Sequence, residues 1–276
     1  PPHLSLILGT TLTLISSHWL LAWAGLEMNT LAIIPIISKQ HHPRATEAAT
    51  KYFLIQATAS ALILFSSTIN AWKTGQWDIS QLSTPESTIM LTLALSMKLG
   101  LAPLHFWLPE VLQGSTLLTA MIITTWQKLA PMALLLLTIN SLNHTLLITL
   151  GLTSTLLGGW SGLNQTQTRK IMAFSSIAHM GWLFLALTIS PNMTLITLLI
   201  YLLLTTTLFS TLIPTMSKTL LDLGTTLHQT PNLLTILMLT LMSLGGLPPL
   251  TGFMPKWLIL STLITNKMLL ISTIMA

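Results

Sequence analysis

Apolar segments long enough to cross a lipid bilayer follow one another along almost the whole of this chain. An α-helix needs about 20 mostly apolar residues to span the hydrocarbon core. Only 6% of the 276 residues are charged, against about 25% in an ordinary soluble domain. Because so few charges cannot cover a globular surface, the sequence predicts an all-α, polytopic transmembrane helix bundle. Residues 1–276 are expected to form a single domain surrounded by membrane lipid.

The apolar segments predict about ten helices, of which the last is incomplete. Their approximate bounds are 3–21, 25–38, 46–71, 87–108, 116–140, 144–163, 171–189, 192–216, 232–265 and from 267 onward. Glycine and proline interrupt two of these segments, at 100–103 in the fourth and at 245–249 in the ninth. Proline removes a backbone donor and glycine weakens a helix, so we expect these two helices to be discontinuous.

The two interrupted segments resemble each other in sequence. Residues 100–110 align with residues 246–256 at a constant offset of 146, with one glycine, two leucines and two prolines identical. Because the two copies lie five helices apart, they should run in opposite directions across the bilayer. Paired discontinuous helices in inverted repeats build the midplane sites of ion-coupled transporters. The repeat therefore predicts inverted repeats around a transport-related site.

Basic residues in the connections predict the orientation of the bundle. Six of them lie in or next to one set of loops, which comprises 39–51, 109–115, 164–170 and 217–231. The opposite set carries only Lys73 and Lys267. The positive-inside bias makes the first side cytoplasmic, or the matrix side if the membrane is mitochondrial. No basic run is longer than Arg169–Lys170, so the sequence does not indicate a nucleic-acid partner.

Four ionisable residues fall inside the predicted spans: Glu27, Lys98, Lys128 and Lys256. A charge at the bilayer centre costs about 2.5–3.5 kcal/mol on insertion scales, so such residues are candidates for function. Glu27 lies near the start of the predicted second helix and has two interpretations. It is either a carboxylate stabilised by the helix dipole or the partner of a buried lysine.

The three lysines lie beside predicted weaknesses in their helices. Lys98 precedes the break at Gly100, where the carbonyls that end the first half-helix favour a cation. The alternative is a lysine whose side chain extends to the interface, which its position deep in the predicted helix disfavours. Lys128 comes three residues before Pro131, whose missing N–H loosens the preceding turn. Lys256 lies on the far side of the second break. Desolvation disfavours a lysine's charge and a nearby carboxylate favours it, so a lysine between these influences can lose and regain a proton.

Two histidines, His105 and His179, also fall within spans, and each is either a packing residue or a proton-relay residue. Of the two, His179 is the better candidate to lie between helices in a row formed by the three lysines. The chain has no cysteine, which excludes thiolate metal sites and cysteine nucleophiles. Haem ligation, a phosphate-binding glycine loop and a Ser/His/Asp constellation have no matching pattern either. We therefore expect no cofactor or metal in this chain.

Four stretches around these residues carry a family resemblance. They are GLEMNTLAIIP (25–35), MKLGLAPLHFWLPEV (97–111), GLNQTQTRKIMAFSS (162–176) and LPPLTGFMPKW (247–257). Together they resemble the chain 2 family of NADH–ubiquinone oxidoreductase, one of the antiporter-like membrane subunits of respiratory complex I, in its mitochondrially encoded animal form. The resemblance extends over nearly the whole chain, with both ends expected to be truncated.

The resemblance implies a fold of inverted five-helix repeats and a role for each buried charge. Glu27 and Lys98 would form the carboxylate–lysine pair, Lys128 would be the central lysine, and Lys256 would lie toward the next pumping subunit. Partners would be the other membrane subunits of complex I, including neighbouring antiporter-like subunits, in the mitochondrial inner membrane. NADH, flavin, iron–sulfur clusters and ubiquinone would be bound by other subunits. The alternatives are a stand-alone cation/proton antiporter of the same architecture and a structural scaffold with vestigial charges.

Overall fold

The computed structural model describes residues 2–39, 42–225 and 231–275, which are helical apart from short connections. The α-helices are α1 (Pro2–Ile15), α2 (Trp19–Ser38), α3 (Pro43–Thr74), α4 (Pro85–Leu99), α5 (Trp107–Gly114), α6 (Leu117–Thr124), α7 (Leu129–Leu137), α8 (His144–Leu163), α9 (Thr168–Ile189), α10 (Pro191–Thr215), α11 (Leu220–Thr225), α12 (Pro231–Gly245), α13 (Phe253–Thr265) and α14 (Leu269–Met275). Two 3₁₀ turns, Trp126–Lys128 and Ile139–Ser141, flank α7.

The predicted all-α transmembrane bundle is confirmed. Within the described residues, six helical segments have the length and apolar composition needed to cross a membrane, and α6 and α7 together make one of them. The fourth predicted segment is the pair α4–α5 and the ninth is the pair α12–α13, each with a break between its halves. All ten predicted segments therefore correspond to helices, and the two expected discontinuous helices are present.

The predicted boundary between the first two helices is wrong. α2 begins at Trp19, because the Nδ1 atom of His18 accepts a hydrogen bond from the N–H of Leu20 (3.2 Å) and caps the helix there. Glu27 therefore lies in the third turn of α2. The interpretation of this carboxylate as a residue of the first turn is also wrong, since the dipole effect fades beyond that turn.

Several other bounds also differ from the prediction. α3 begins at Pro43, so most of the predicted loop 39–51 that the structure describes is helix, and α5 continues to Gly114, so most of the predicted loop 109–115 is helix. A short helix, α11, lies within the predicted loop 217–231. Residues 40–41 and 226–230 of the predicted basic loops lie outside the described residues.

The two breaks have the same backbone geometry. The glycines that end α4 and α12, Gly100 and Gly246, have left-handed φ values of 76° and 83°. At each break the glycine N–H bonds to the carbonyl three residues earlier, and the next N–H bonds to the carbonyl five residues earlier. These four bonds are Gly100→Met97, Leu101→Ser96, Gly246→Ser243 and Leu247→Met242. This is the Schellman arrangement, which requires the left-handed residue that glycine provides. The offset of 146 found in the sequence is therefore repeated in the backbone hydrogen bonds.

Helix α9 occupies the middle of the bundle. It packs against α5, α6, α8, α10 and α13. Most of one 18-residue stretch of this helix is buried, including Met180 and Phe184, which follow His179 in the sequence. A residue on α9 can therefore contact helices from both halves of the repeat.

The basic loops meet at one end of the bundle. Arg44, Gln113 and Arg169, which lie at the ends of α3, α5 and α9, line one open cavity together with Lys218 of the connection between α10 and α11. At another connection, the ring of His18 stacks on Trp77 with centroids 5.6 Å apart, and the N–H of Trp19 bonds to the Trp77 carbonyl (3.1 Å). Within each of the two groups of connections that the charge pattern predicts, residues from different connections therefore lie close together.

We expect Arg44 and Trp77 to face opposite sides of the membrane. Because the chain has no cysteine, Arg44→Cys and Gln76→Cys would each place one thiol in it, the second beside Trp77. A membrane-impermeant thiol reagent added to sealed membrane vesicles should label one position, and reagent added to inverted vesicles should label the other. Labelling of both positions from the same side, read by mass spectrometry of this chain, would refute the orientation.

Candidate functional site

Lys98 lies in the last turn of α4 with a buried and unpartnered ammonium group. The residue is 6% exposed, and its Nζ atom has no hydrogen-bond partner within the described chain. Neutral donors instead approach the carbonyls that end this half-helix. The Trp107 indole N–H donates to the Met97 carbonyl (3.1 Å), and the Gln56 amide approaches the Lys98 carbonyl (3.5 Å). The expected pairing of Lys98 with these carbonyls is therefore absent, because other side chains bind them.

Glu27 does not form a direct ion pair with Lys98. Among the described residues, ion pairs join Lys51 to Glu47 and Glu110 and join Lys73 to Glu86, all with partly exposed side chains. The Oε2 atom of Glu27 is buried without a hydrogen-bond partner, as is Nζ of Lys98. The two charges nevertheless interact electrostatically. The carboxylate of Glu27 and the ammonium of Lys98 are thus close enough to interact electrostatically, but they form no hydrogen bond or ion pair with each other.

A cavity connects the side chains of Lys98 and Lys128. Its volume for the centres of water molecules is about 10 Å³, close to what one water molecule needs. The lining includes the polar side chains of Asn29, Gln56 and Gln127. Both side-chain polar atoms of Asn29 are buried without a hydrogen-bond partner in the described structure. A water molecule in such a place would have several polar partners, and Lys98 and Lys128 both line the same cavity.

Lys128 ends the 3₁₀ turn that interrupts the fifth segment. It is 3% exposed, and its ammonium donates a hydrogen bond to the Tyr201 hydroxyl (3.1 Å) while lying 4.9 Å from the centre of that ring. The loosened turn expected near Pro131 is therefore present, just before the proline. A hydroxyl and an aromatic face stabilise a buried cation that has no carboxylate partner.

His179 lies between the second and third lysines. Its ring centroid is 5.5 Å from that of Tyr201, and it is within electrostatic range of both Lys128 and Lys256. A second cavity, about 20 Å³ for the centres of water molecules, is lined by His179, Tyr201, Thr197 and Lys256. One or two water molecules fit such a volume. The second cavity thus extends the connection from Lys128 toward Lys256.

Lys256 caps the end of the first half of the ninth segment. Its ammonium donates to the carbonyls of Leu244 (2.9 Å) and Gly245 (3.1 Å), the last two residues of α12. A cation at the C-terminal end of a helix is stabilised by the free carbonyls and the helix dipole. The ninth segment therefore has the cation–carbonyl contact that the sequence predicts for the fourth.

His105, by contrast, packs among aromatic rings. It stacks on Phe106 with centroids 4.4 Å apart and meets Phe174 edge-on at 6.4 Å, and its Nδ1 atom has no hydrogen-bond partner in the described structure. Neither water-sized cavity is lined by His105. The described residues also contain no group of three or more His, Cys, Asp or Glu side chains able to hold a metal ion.

The residues of this site that were not found from the sequence include Tyr201, Gln56 and Trp107. Tyr201 gives the clearest signal, since it is one of only two tyrosines and lies inside a long apolar helix where its hydroxyl must find a partner. Gln56 is likewise a buried amide in an apolar span. Trp107 gives no signal, because a tryptophan at that depth is equally typical of packing.

Comparisons with known proteins agree with this architecture. A family model described as NADH:quinone oxidoreductase/Mrp antiporter, TM, matches residues 16–276. The NADH-ubiquinone oxidoreductase chain 2 of Struthio camelus is 59% identical over 273 residues, covering 99% of this chain and 79% of that protein.

Two solved structures share the fold. A chain of respiratory complex I from Thermus thermophilus has a TM-score of 0.87 at 30% identity, over 99% of this chain and 66% of that one. A chain of the Mrp complex from Dietzia sp. has a TM-score of 0.85 at 16% identity, over 100% of this chain and 56% of that one. At that identity the second likeness concerns the fold alone.

Proposed function

Since this chain belongs to the NADH:quinone oxidoreductase/Mrp antiporter family of transmembrane proteins, we propose that its buried charged residues carry protons across the membrane. Its 59% sequence identity to a chain 2 relative identifies it as a membrane subunit of NADH–ubiquinone oxidoreductase, respiratory complex I. The proposed path runs through Glu27, Lys98, Lys128, His179 and Lys256. Redox chemistry in other subunits, where NADH, flavin, iron–sulfur clusters and ubiquinone bind, drives it.

The observation that carries the proposal is the sequence of contacts across the bundle. The first cavity joins Lys98 to Lys128, a hydrogen bond joins Lys128 to Tyr201, and the second cavity joins Tyr201 and His179 to Lys256. Moving one charge across the membrane works against about 2.3 kcal/mol per 100 mV. Several sites divide that free energy into smaller steps, whereas a single site must bear most of it at once.

The surroundings of Lys256 support a further subunit on that side. Exposed apolar side chains cluster on α12 and α13, including Met242, Met254 and Trp257. A face of this kind suits lipid or another membrane protein. We place the neighbouring antiporter-like subunit against it, in the mitochondrial inner membrane, so that Lys256 is the last site of this chain before the next pumping subunit.

The proposed role of Glu27 is tested by Glu27→Gln. The amide keeps the size of the side chain and removes the only carboxylate that influences Lys98 within the described structure. A positive charge on Lys98 then loses its electrostatic stabilisation in a low-dielectric setting, so its charging step becomes less favourable. We expect the complex to assemble, with NADH-driven proton pumping in reconstituted vesicles slowed several-fold.

Glu47→Gln is the matched control for Glu27→Gln. Glu47 is an exposed carboxylate paired with Lys51 near the start of α3, and such pairs contribute little to stability. Its substitution should leave pumping unchanged. Equal pumping by both variants would remove Glu27 from the path.

A further inference from the structure

The Tyr201 hydroxyl connects the residues that line the two cavities. Lys128 lines the first cavity and Tyr201 lines the second, and the hydrogen bond between their side chains (3.1 Å) connects the two groups of lining residues. Tyr201 is 3% exposed. Ser176, one turn before His179 on α9, also interacts with the Tyr201 hydroxyl. This hydroxyl therefore faces both the central lysine and the helix that carries the histidine.

The 3₁₀ turn before Lys128 explains why Tyr201 is held there. In a continuous α-helix the N–H of Lys128 would bond to the Thr124 carbonyl, but here it bonds to Thr125 (3.3 Å). The Thr124 carbonyl is left free of that bond, and the Tyr201 hydroxyl donates to it (3.1 Å). A phenol has one proton to donate, so its oxygen is left as the acceptor for the Lys128 ammonium.

We propose that Tyr201 is the proton-transfer residue between Lys128 and His179, an inference that rests on the proposed function. An N–H bond of the Lys128 ammonium breaks and an O–H bond forms at the phenolic oxygen. The original phenolic O–H bond breaks, and its proton passes to the neutral imidazole of His179 through water in the second cavity. Lys128 is left neutral and His179 is left as imidazolium, so atoms and charge balance.

The Thr124 carbonyl gives this step a resting state. While the phenolic proton points at that carbonyl, it does not point toward His179, and the carbonyl cannot relay a proton onward. Rotation of the hydroxyl about its C–O bond moves the proton to the second cavity. The connection between Lys128 and the second cavity is therefore closed at rest and opens by a torsional change of one hydroxyl group.

The test is Tyr201→Phe in the assembled complex, reconstituted into sealed vesicles. The ring and its packing remain, and only the hydroxyl is lost. We expect NADH-driven pumping to fall by at least about tenfold, because a positioned proton-transfer group typically contributes about 100-fold or more to the rate of its step. We also expect the solvent deuterium isotope effect on pumping to increase, because the interrupted proton transfer becomes rate-limiting.

Thr207→Val is the control on the same helix, since the Thr207 hydroxyl is exposed and bonds only to the Leu204 carbonyl of its own helix in the described structure. It should pump normally. Normal pumping by Tyr201→Phe, or slower pumping with an unchanged isotope effect, would overturn the assignment of Tyr201. Lys128→Met measured in parallel separates the two proposals: if it loses pumping while Tyr201→Phe does not, only the assignment of Tyr201 fails.

Discussion

Substitution of Lys128 by methionine is expected to reduce proton pumping by at least about tenfold while the complex still assembles. The lysine is almost fully buried and is the only residue whose side chain connects the first cavity to Tyr201 among the described contacts. Methionine has similar length and suits an apolar interior, so packing should survive the loss of the ammonium. Without a group that binds and releases a proton at this point, the proton path between Lys98 and Lys256 is interrupted.

The measurement is NADH-driven acidification of vesicles, with NADH oxidation recorded on the same sample. Because pumping and electron transfer are coupled, both rates should fall together. Lys73→Met is the matched control: Lys73 is half-exposed and paired with Glu86, so its loss should change neither rate. A Lys128→Met complex with the normal rate and the normal pumped-proton ratio would favour the structural-scaffold alternative.

Substitution of Gly252 by alanine is expected to prevent stable assembly of the chain. Gly252 is buried in the second break, and a Cβ atom there would overlap the backbone carbonyl oxygen of Ser243. A backbone atom cannot move aside as a flexible side chain can, and overpacking of this kind costs about 3 kcal/mol or more. Ser243 also accepts the N–H of Gly246, so the clash would distort the turn that positions Lys256.

The amount of intact complex extracted in mild detergent measures this effect. Gly159→Ala is the matched control, since nothing lies within 4 Å of a Cβ atom at Gly159 and alanine is the better helix former. We expect the control to assemble at the normal level. Normal assembly of the Gly252→Ala variant would show that the two half-helices are further apart than the structure places them.

The helix count and the two breaks could be predicted because they depend on local sequence. Hydropathy over about 20 residues identifies a span, and a Gly/Pro cluster inside it identifies a break. The start of α2 could not be predicted in this way. Residues 19–26 are apolar on both sides of the predicted boundary, and the cap is a histidine, which is not among the preferred capping residues.

The site could be predicted in part, for a similar reason. A buried lysine or glutamate is visible in a sequence because its insertion is costly. Its partner is not visible, because partners come from tertiary contacts over long sequence separations. Tyr201 lies 73 residues from Lys128, and Gln56 lies 42 residues from Lys98. The 3₁₀ turn that frees the Thr124 carbonyl has no sequence signature other than a proline several residues later.

The two breaks differ in the groups that donate hydrogen bonds to the last carbonyls of the first half-helix. The stability of the two helix ends therefore depends differently on the charge of the nearby lysine. The side chains of Trp107 and Gln56, both neutral, donate hydrogen bonds to the carbonyls at the end of α4. A change of charge on Lys98 therefore leaves these bonds in place. The ammonium of Lys256 itself holds the end of α12, and a neutral amine is a weaker donor to the same two carbonyls. By thermodynamic reciprocity, a force that pulls α12 away from α13 weakens proton binding at Lys256, and loss of that proton softens the joint. The second break therefore couples the contact between α12 and α13 to the charge of Lys256.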